Sequence, residues 1–281
     1  TQRFAGAITM ATMAFSDREF KQISDLMYEA AGLSYSDSKK SLIHSRLSPR
    51  IQKLKLSGFA DYIAILENEA EAAEFQMAVD LLTTNETYFF REPKHYDLLQ
   101  QELASYGNKA SLSVWSAAAS FGDEAYSTAM LMSDLQMMGK IGSNWSILAT
   151  DISHRVLLSA KEAVYPEDRL RAVSQERLRR YCLRGDGESQ GQVLLQDKIR
   201  SRVQFGQLNL CKPFDGLGLF DVIFLRNVLI YFDPPTKSDV VDRVLATLKP
   251  GGLFFLGTAE GRVPCNTPLS TVIPGAFRKM A

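Results

Sequence analysis

Over the first third of the chain, apolar residues return every three or four positions, the spacing of one face of a helix. Ser16 stands before "DREFKQISDLMYEAAG", in which Phe20, Ile23, Met27 and Ala30 share a face and Gly32 supplies a stop. "DSKKSLIHSRLSPRIQKLKLSG" repeats the pattern with Leu42, Leu47, Ile51 and Leu54, and Pro49 either kinks this helix or begins a second one. "FADYIAILENEAEAAEFQMAVDLLTT" continues in the same manner. Nothing from residue 16 to 105 alternates as a half-buried strand would, so this region predicts a small helical bundle.

Near Leu112 the texture changes. "LSVWSA" and "WSILATD" are short β-rich runs, each followed by a helical pattern, the second starting from Ser153. "FDVIFLRN" and "GGLFFLGTA" are two more apolar strands, separated by the helix "TKSDVVDRVLATLKPGG". Buried strands alternating with helices predict a parallel sheet covered on both faces. One stretch breaks the alternation: "RYCLRG…GQVLLQDKIRSRVQFGQLNL" reads as an antiparallel hairpin with a tip at Gly185, Gly187 and Gly191. It forms an insertion at about residues 180–207, and insertions of that size usually serve a partner. The expected architecture is thus an all-α domain over residues 16–93, then an α/β domain over 94–281 with a small antiparallel β-subdomain inserted.

Composition narrows the function classes. Lys+Arg and Asp+Glu both number 32, so bulk charge argues against a general binder of nucleic acid or other polyanions. Cys182, Cys211 and Cys265 are too widely spaced for a disulfide framework or a zinc site, which fits a reducing cytoplasm and no metal. No apolar run approaches the roughly 18 residues of a membrane span, so no membrane insertion is expected. The opening "TQRFAGAITMATMAF" lacks a cationic start and a sustained apolar core; it reads as a flexible lead-in, not a signal peptide.

The candidate chemistry centres on "VWSAAASFGDEAYSTAM", residues 114–130. It has the rhythm of a nucleotide-binding turn, but one glycine, Gly122, where a dinucleotide fingerprint has three. Ser116, Ala117, Ala118, Ala119 and Ser120 supply the small size that close backbone approach needs. A phosphate wants cations and free amides at the helix start. Between Ala110 and Gly139 there is no Lys or Arg, and Asp123 and Glu124 sit at that start. An unscreened like-charge contact costs about 1–4 kcal/mol, so a diphosphate fits poorly. A cationic adenosyl ligand without phosphates, S-adenosylmethionine, fits better. Asp151 closes the second strand, where an acid grips ribose hydroxyls or else caps the next helix. Asn209 and Leu210 are suited to an adenine edge, and Arg226 and Asn227 end the fourth strand.

"TTNETYFFRE" (83–92), "VWSAAASFGDEAYS" (114–127), "ATDIS" (149–153) and "FDVIFLRNVLIYFD" (220–233) together resemble the CheR-type chemoreceptor glutamate O-methyltransferases, from about residue 16 to the end. Four motifs in one order make the resemblance specific. It implies transfer of a methyl group from S-adenosylmethionine, leaving S-adenosylhomocysteine, to glutamates of bacterial chemotaxis receptors. It implies cofactor contacts at Asn85, Thr87, Arg91, Glu124, Asp151, Asn209, Leu210, Arg226 and Asn227, and an active-site tyrosine at Tyr231. "GTAEG" (257–261) departs from the family's Gly-His-Ser-Glu, with Thr258 and Ala259 in place of His and Ser, while Glu260 is kept.

A glutamate carboxylate is already ionised at neutral pH, so this reaction needs no general base. Alignment and removal of water suffice, with Arg91 and Tyr231 as the steering groups. Their bland alternatives are an Arg91–Glu92 ion pair and a packed core tyrosine. For the acidic receptor helices that the resemblance implies as substrate, the matching feature is the run Ser38–Ala60, with six cations and no acid. Lys39, Arg46, Arg50 and Lys53 fall on one helical face there, which is either a receptor-docking face or simply a solvated one. The hairpin edge could take a receptor's C-terminal peptide by strand addition. The rival readings are a non-catalytic S-adenosylmethionine-binding regulator, a small-molecule methyltransferase and a dinucleotide-dependent dehydrogenase.

Overall fold

The computed structural model describes residues 13–108 and 111–280, so most of the expected lead-in lies outside the described residues. The chain divides into two compact units, one ending at Leu82 and one beginning at Thr83. The boundary expected at residue 93 therefore moves forward. The segment 83–92 is bonded into the second unit: Ser120 Oγ donates to the Asn85 carbonyl at 3.0 Å, and Phe90 N donates to Ser127 Oγ at 2.9 Å.

The first unit is helical throughout, as its periodicity predicts. Helix α1 (Asp17–Ala31) opens on Ser16, whose hydroxyl accepts from Glu19 N while the Glu19 carboxylate accepts from Ser16 N. It closes on Gly32 in the left-handed conformation. Its buried face is Phe20, Ile23, Met27 and Ala31, with Ala31 in place of the expected Ala30. Helix α2 (Lys40–Lys53) runs through Pro49, which is exposed, rather than beginning anew there. The third apolar stretch is two helices, α3 (Phe59–Leu66) and α4 (Ala72–Leu82). Between them the Asn68 side chain accepts from Ala70 N and starts a short 3-10 turn.

The second unit begins with the 83–92 segment and α5 (Pro93–Tyr106). Strands β1 (Leu112–Ser116) and β2 (Trp145–Asp151) flank α6 (Asp123–Met137), and α7 (His154–Glu162) follows on the Ser153 cap. Next come β3 (Val164–Pro166), α8 (Gln175–Tyr181), β4 (Cys182–Arg184), β5 (Gln192–Leu195), α9 (Asp197–Arg200) and β6 (Val203–Gln207). Strand β7 (Phe220–Leu225), α10 (Pro234–Leu245) and β8 (Leu248–Leu256) lead to β9 (Leu269–Ile273) and β10 (Ala276–Lys279).

The main sheet has the order β6-β2-β1-β7-β8-β10-β9. Strands β6 through β8 pair in parallel, and β10 and β9 add antiparallel to one side. Strand β7 is buried along its whole length, as a strand covered on both faces must be. Chain order reverses across β1: β2 and β6 lie to one side and β7 to the other. The carboxyl ends of β1 and β7 therefore border the crevice where an open α/β sheet holds its ligand.

The inserted subdomain differs from its expected form. The hairpin β4–β5 is antiparallel with its glycine tip as predicted, but its third strand is β3, from residues 164–166. Residues 203–207 leave it, because the single turn α9 delivers β6 to the edge of β2, where it pairs in parallel from Ile147↔Val203 to Asp151↔Gln207. The C-terminal hairpin β9–β10, turning at Pro274–Gly275, carries no expectation from the pattern of alternation.

Candidate active site

The turn after β1 is pinned from three sides. Ala117 N donates to the Phe224 carbonyl, Ala119 N to the Thr150 carbonyl, and Ser120 N to Asp151 Oδ2, each at 2.8 Å. Gly122 N closes on the Ala119 carbonyl at 2.9 Å. Gly122 has φ +89°, and a Cβ there would meet Ala160, Tyr126 and Phe205 at 3.1–3.2 Å, so both conformation and packing require glycine. These four amides are committed inside the protein.

The acids at the helix start, by contrast, do not act as expected. Asp123 is fully buried and forms a two-pronged pair with Arg169, Oδ1 to Nε at 2.7 Å and Oδ2 to Nη2 at 3.0 Å. Burial still pushes its pKa up, with the Arg169 pair opposing. Glu124 is buried, its Oε1 accepting from Ser116 Oγ at 2.6 Å and its Oε2 from Arg226 Nε at 2.7 Å. Both carboxylates are thus neutralised by arginines. The repulsion of phosphate expected from bare acids does not operate.

Arg226, at the carboxyl end of β7, is turned inward and 6% exposed. Besides Glu124 it donates through Nη1 to the Arg91 carbonyl at 2.7 Å and through Nη2 to Tyr96 Oη at 3.4 Å. Burial alone would lower its pKa, but the charge of Glu124 and the neighbouring Tyr96 and Glu92 outweigh burial and raise it. The same burial raises Tyr96 to about 12 and lowers His95, which stands 3.4 Å from Arg226 Nη1. Arg226 is consumed in holding the site together.

Arg91 is only half buried. Its backbone is fixed by Arg226, and its neighbours Phe90 and Glu92 both have left-handed backbone, φ +54° and +60°. Such conformations cost on the order of 1–3 kcal/mol each and persist where the surroundings over-determine them. The Arg91 guanidinium lies 5.7 Å from the Tyr88 ring centroid and donates to the Glu86 carbonyl at 3.1 Å. The alternative Arg91–Glu92 ion pair does not form; Glu92 turns to Thr258 and His95. Tyr231 is in a 3-10 turn after β7, half buried, with its hydroxyl 3.4 Å from the Thr84 carbonyl. It is not a core tyrosine.

Asp151 joins the same edge. Its Oδ2 holds Ser120 N and its Oδ1 accepts from Ser153 N at 2.9 Å, while Ser153 itself caps α7. The Asp151 carbonyl accepts from Leu208 N, which brings Asn209 and the buried Leu210 beside it. Asn85 is tied in through Ser120, and Thr87 lies half buried in the same segment. Asn227 has φ +59°, and its amide donates to Glu260 Oε2 at 2.8 Å.

Glu260 and Glu92 carry roles that motif reading missed. Glu260 also accepts from Gly257 N at 2.7 Å and from Leu229 N at 2.8 Å, and its burial raises its pKa. A Cβ on Gly257 would come within 2.6 Å of the Asn227 side chain. The one available sign of Glu92 was local: a glutamate before Pro93, where a helix start prefers Ser, Thr, Asp or Asn.

The residues expected to dock a receptor lie in the first unit. Arg50 forms a two-pronged pair with Glu74, Nε to Oε1 at 2.9 Å, and Tyr62 Oη donates to the same carboxylate at 2.8 Å. Arg46 donates to the Leu82 carbonyl at 2.9 Å. Lys39 and Lys53 are exposed. Among the described residues no helix is long and apolar enough to cross a membrane.

Two family models match. One described as "CheR methyltransferase, all-alpha domain" covers residues 18–83, and one described as "CheR methyltransferase, SAM binding domain" covers residues 85–273. The chain is similar to the "Chemotaxis protein methyltransferase" of Escherichia coli (strain K12), 39% identical over 251 residues, 88% of this chain and 86% of that relative. A protein of the same name from Klebsiella aerogenes is 39% identical over 249 residues, 88% and 84% of the two chains. "Chemotaxis protein methyltransferase 2" of Pseudomonas aeruginosa is 38% identical over 254 residues, 89% and 88%.

Proposed function

The chain belongs to the CheR methyltransferase family, and from that premise we propose how its site performs the reaction. It is an S-adenosylmethionine-dependent methyltransferase that esterifies glutamate side chains of bacterial chemoreceptors in chemotaxis. When bound, S-adenosylmethionine supplies a methyl group on a sulfonium sulfur, ready for in-line displacement.

Asp151 receives the ribose hydroxyls, with Asn209 and Leu210 against the adenine and Asn85, Thr87, Glu124 and Asn227 completing the walls. The fit rests on the buried small-residue turn and on the Asp151 carboxylate that ends β2 beside it. Arg226 acts behind this surface, through Glu124 and the Arg91 carbonyl. Arg91 and Tyr231 face the acceptor: they orient the substrate carboxylate and strip its water, and no base is required. The observation that carries this reading is Arg226, which joins the cofactor turn to the backbone of Arg91 with bonds of 2.7 Å on either side.

Lys39 and Lys53 are the leading docking cations for an acidic receptor helix, with Arg46 beside them, while the Arg50–Glu74 pair sets the helix that presents them. Cytoplasmic residence, and a receptor C-terminal peptide added to the inserted subdomain, belong to the same reading. The test is transfer of labelled methyl to a receptor signalling-domain fragment, with the label released by mild base. Arg91→Ala is expected to lower transfer at least a hundredfold with unchanged thermal stability. Wild-type turnover in that variant would remove Arg91 from the mechanism.

A further inference from the structure

Glu92 breaks a local rule at the start of α5. It is the N-cap of α5, in left-handed backbone, and its side chain makes no capping bond to that helix. The carboxylate reaches instead to a turn far along the chain. Its Oε1 accepts from Thr258 N at 3.2 Å and from Thr258 Oγ1 at 3.3 Å. Its Oε2 is buried 3.0 Å from His95 Nδ1 and 3.7 Å from Arg226 Nη1, without a well-aligned hydrogen bond to either. Residues that violate local preference without local compensation are the ones tertiary function constrains.

Following the bonds outward gives the consequence. Thr258 lies in the turn 257–260, whose Glu260 accepts from the amides of Asn227 and Leu229. Leu229 opens the 3-10 turn that ends at Tyr231. On its other side, Glu92 follows Arg91, whose carbonyl Arg226 holds. One carboxylate thus closes a ring that runs from Arg91 through Thr258 and Glu260 to Tyr231.

We propose that Glu92 is a positioning residue for methyl transfer, locking the Arg91 segment to the turn that sets Tyr231 so that both sides of the acceptor site hold one geometry. The proposal rests on the reading of Arg91 and Tyr231 as the acceptor-facing groups. A misplacement of about 1 Å at such a site costs on the order of a hundredfold in rate, which sets the expected scale.

The experiment compares wild type, Glu92→Ala, Glu92→Gln, Arg91→Ala and the Arg91→Ala/Glu92→Ala double variant in steady-state methylation of a receptor fragment. S-adenosylhomocysteine affinity by calorimetry and thermal midpoints are measured alongside. Glu92→Ala is expected to lower kcat ten- to a hundredfold, with KM for the methyl donor, S-adenosylhomocysteine affinity and midpoint nearly unmoved. Glu92→Gln, which keeps an oxygen for Thr258, should recover at least threefold of that loss. In the Arg91→Ala background the Glu92→Ala change should cost less than in the wild-type background, since one of the two groups that Glu92 positions is already removed, and an undiminished cost would overturn the proposal. Wild-type kcat in Glu92→Ala would overturn the proposal. So would a matched loss of kcat, affinity and midpoint in both Glu92 variants, the mark of a merely structural residue. Wild-type turnover in Arg91→Ala would instead overturn the acceptor-site reading, a result distinguishable from failure of Glu92 alone.

Discussion

Each of the two units is built around a glutamate held by an arginine, and the two pairs serve different ends. Arg226–Glu124 lies at the carboxyl edge of the sheet with the arginine side chain 2% exposed, and its remaining donors go to the Arg91 carbonyl and Tyr96. Arg50–Glu74 joins α2 to α4 with the arginine 21% exposed, and Tyr62 donates to the same carboxylate. The first pair positions a site from behind. The second fixes a helix whose cations Lys39 and Lys53 remain exposed. The chemistry of the two pairs is the same; depth and onward connections decide whether breaking one costs function or only local stability.

The largest test of this contrast removes the deeper arginine. Arg226→Met leaves Glu124 buried without its cation and the Arg91 carbonyl without its donor. The expected cost is about 3–5 kcal/mol, read from urea unfolding, together with loss of S-adenosylmethionine binding by calorimetry. A wild-type midpoint would break the contrast at once.

In the helical unit, Glu74→Gln should cost less, about 1–3 kcal/mol, with S-adenosylmethionine affinity within twofold of wild type. The Arg50→Glu/Glu74→Arg exchange sharpens the point, because it rebuilds the pair while reversing the charge at position 50. If Arg50 only supports α2, the exchanged protein should regain stability and methylate receptor normally. Restored stability with a collapsed receptor rate would return Arg50 to the docking surface.

Acid should separate the units because their carboxylates shift in opposite directions. Burial would raise Glu74, but its hydrogen bonds from Arg50 and Tyr62 prevail and hold it below the usual 4.5. Its contribution is therefore complete above about pH 4.5 and is lost as pH falls through the lowered folded value. Asp123 and Glu260 are raised by burial, so the folded state binds their protons more readily and their contributions grow as pH falls toward their unfolded values of 3.8 and 4.5. Both tryptophans, Trp115 and Trp145, are in the second unit. On acidification, far-ultraviolet circular dichroism should lose helix before tryptophan fluorescence changes, and coincident transitions would count against the assignment.

The smallest effect belongs to the surface. Lys39→Glu with Lys53→Glu should raise receptor KM about three- to tenfold, more at low salt, with cofactor affinity untouched, as exposed charges act mainly on encounter. An unchanged salt dependence would leave these lysines as solvated cations.

Much of this was legible in the chain itself. Ser16 and Gly32 bound α1, Ser153 caps α7, and the glycine-tipped hairpin lies where its pattern falls. These are local matters: a cap, a period or a turn is settled by residues a few positions apart. The small residues from Ser116 to Gly122 likewise announced a turn that backbone must approach closely. The transfer of residues 203–207 to the main sheet was not legible, because an apolar run does not name the strand whose open edge it will pair with.

The sharpest division falls on two adjacent acids. That Asp123 and Glu124 open a helix was readable, and so was the absence of any cation nearby in the chain. What neutralises them was not: Arg169 arrives from 46 positions away and Arg226 from 102. Local propensity and periodicity act over a few residues and so determined the elements, their ends and the small-residue turn. The charge state of the site, the inward aim of Arg226 and the reach of Glu92 to Thr258 depend on which strand ends the topology brings together. Only the folded sheet decides that, because a buried ion pair forms between neighbours in space whatever their separation along the chain.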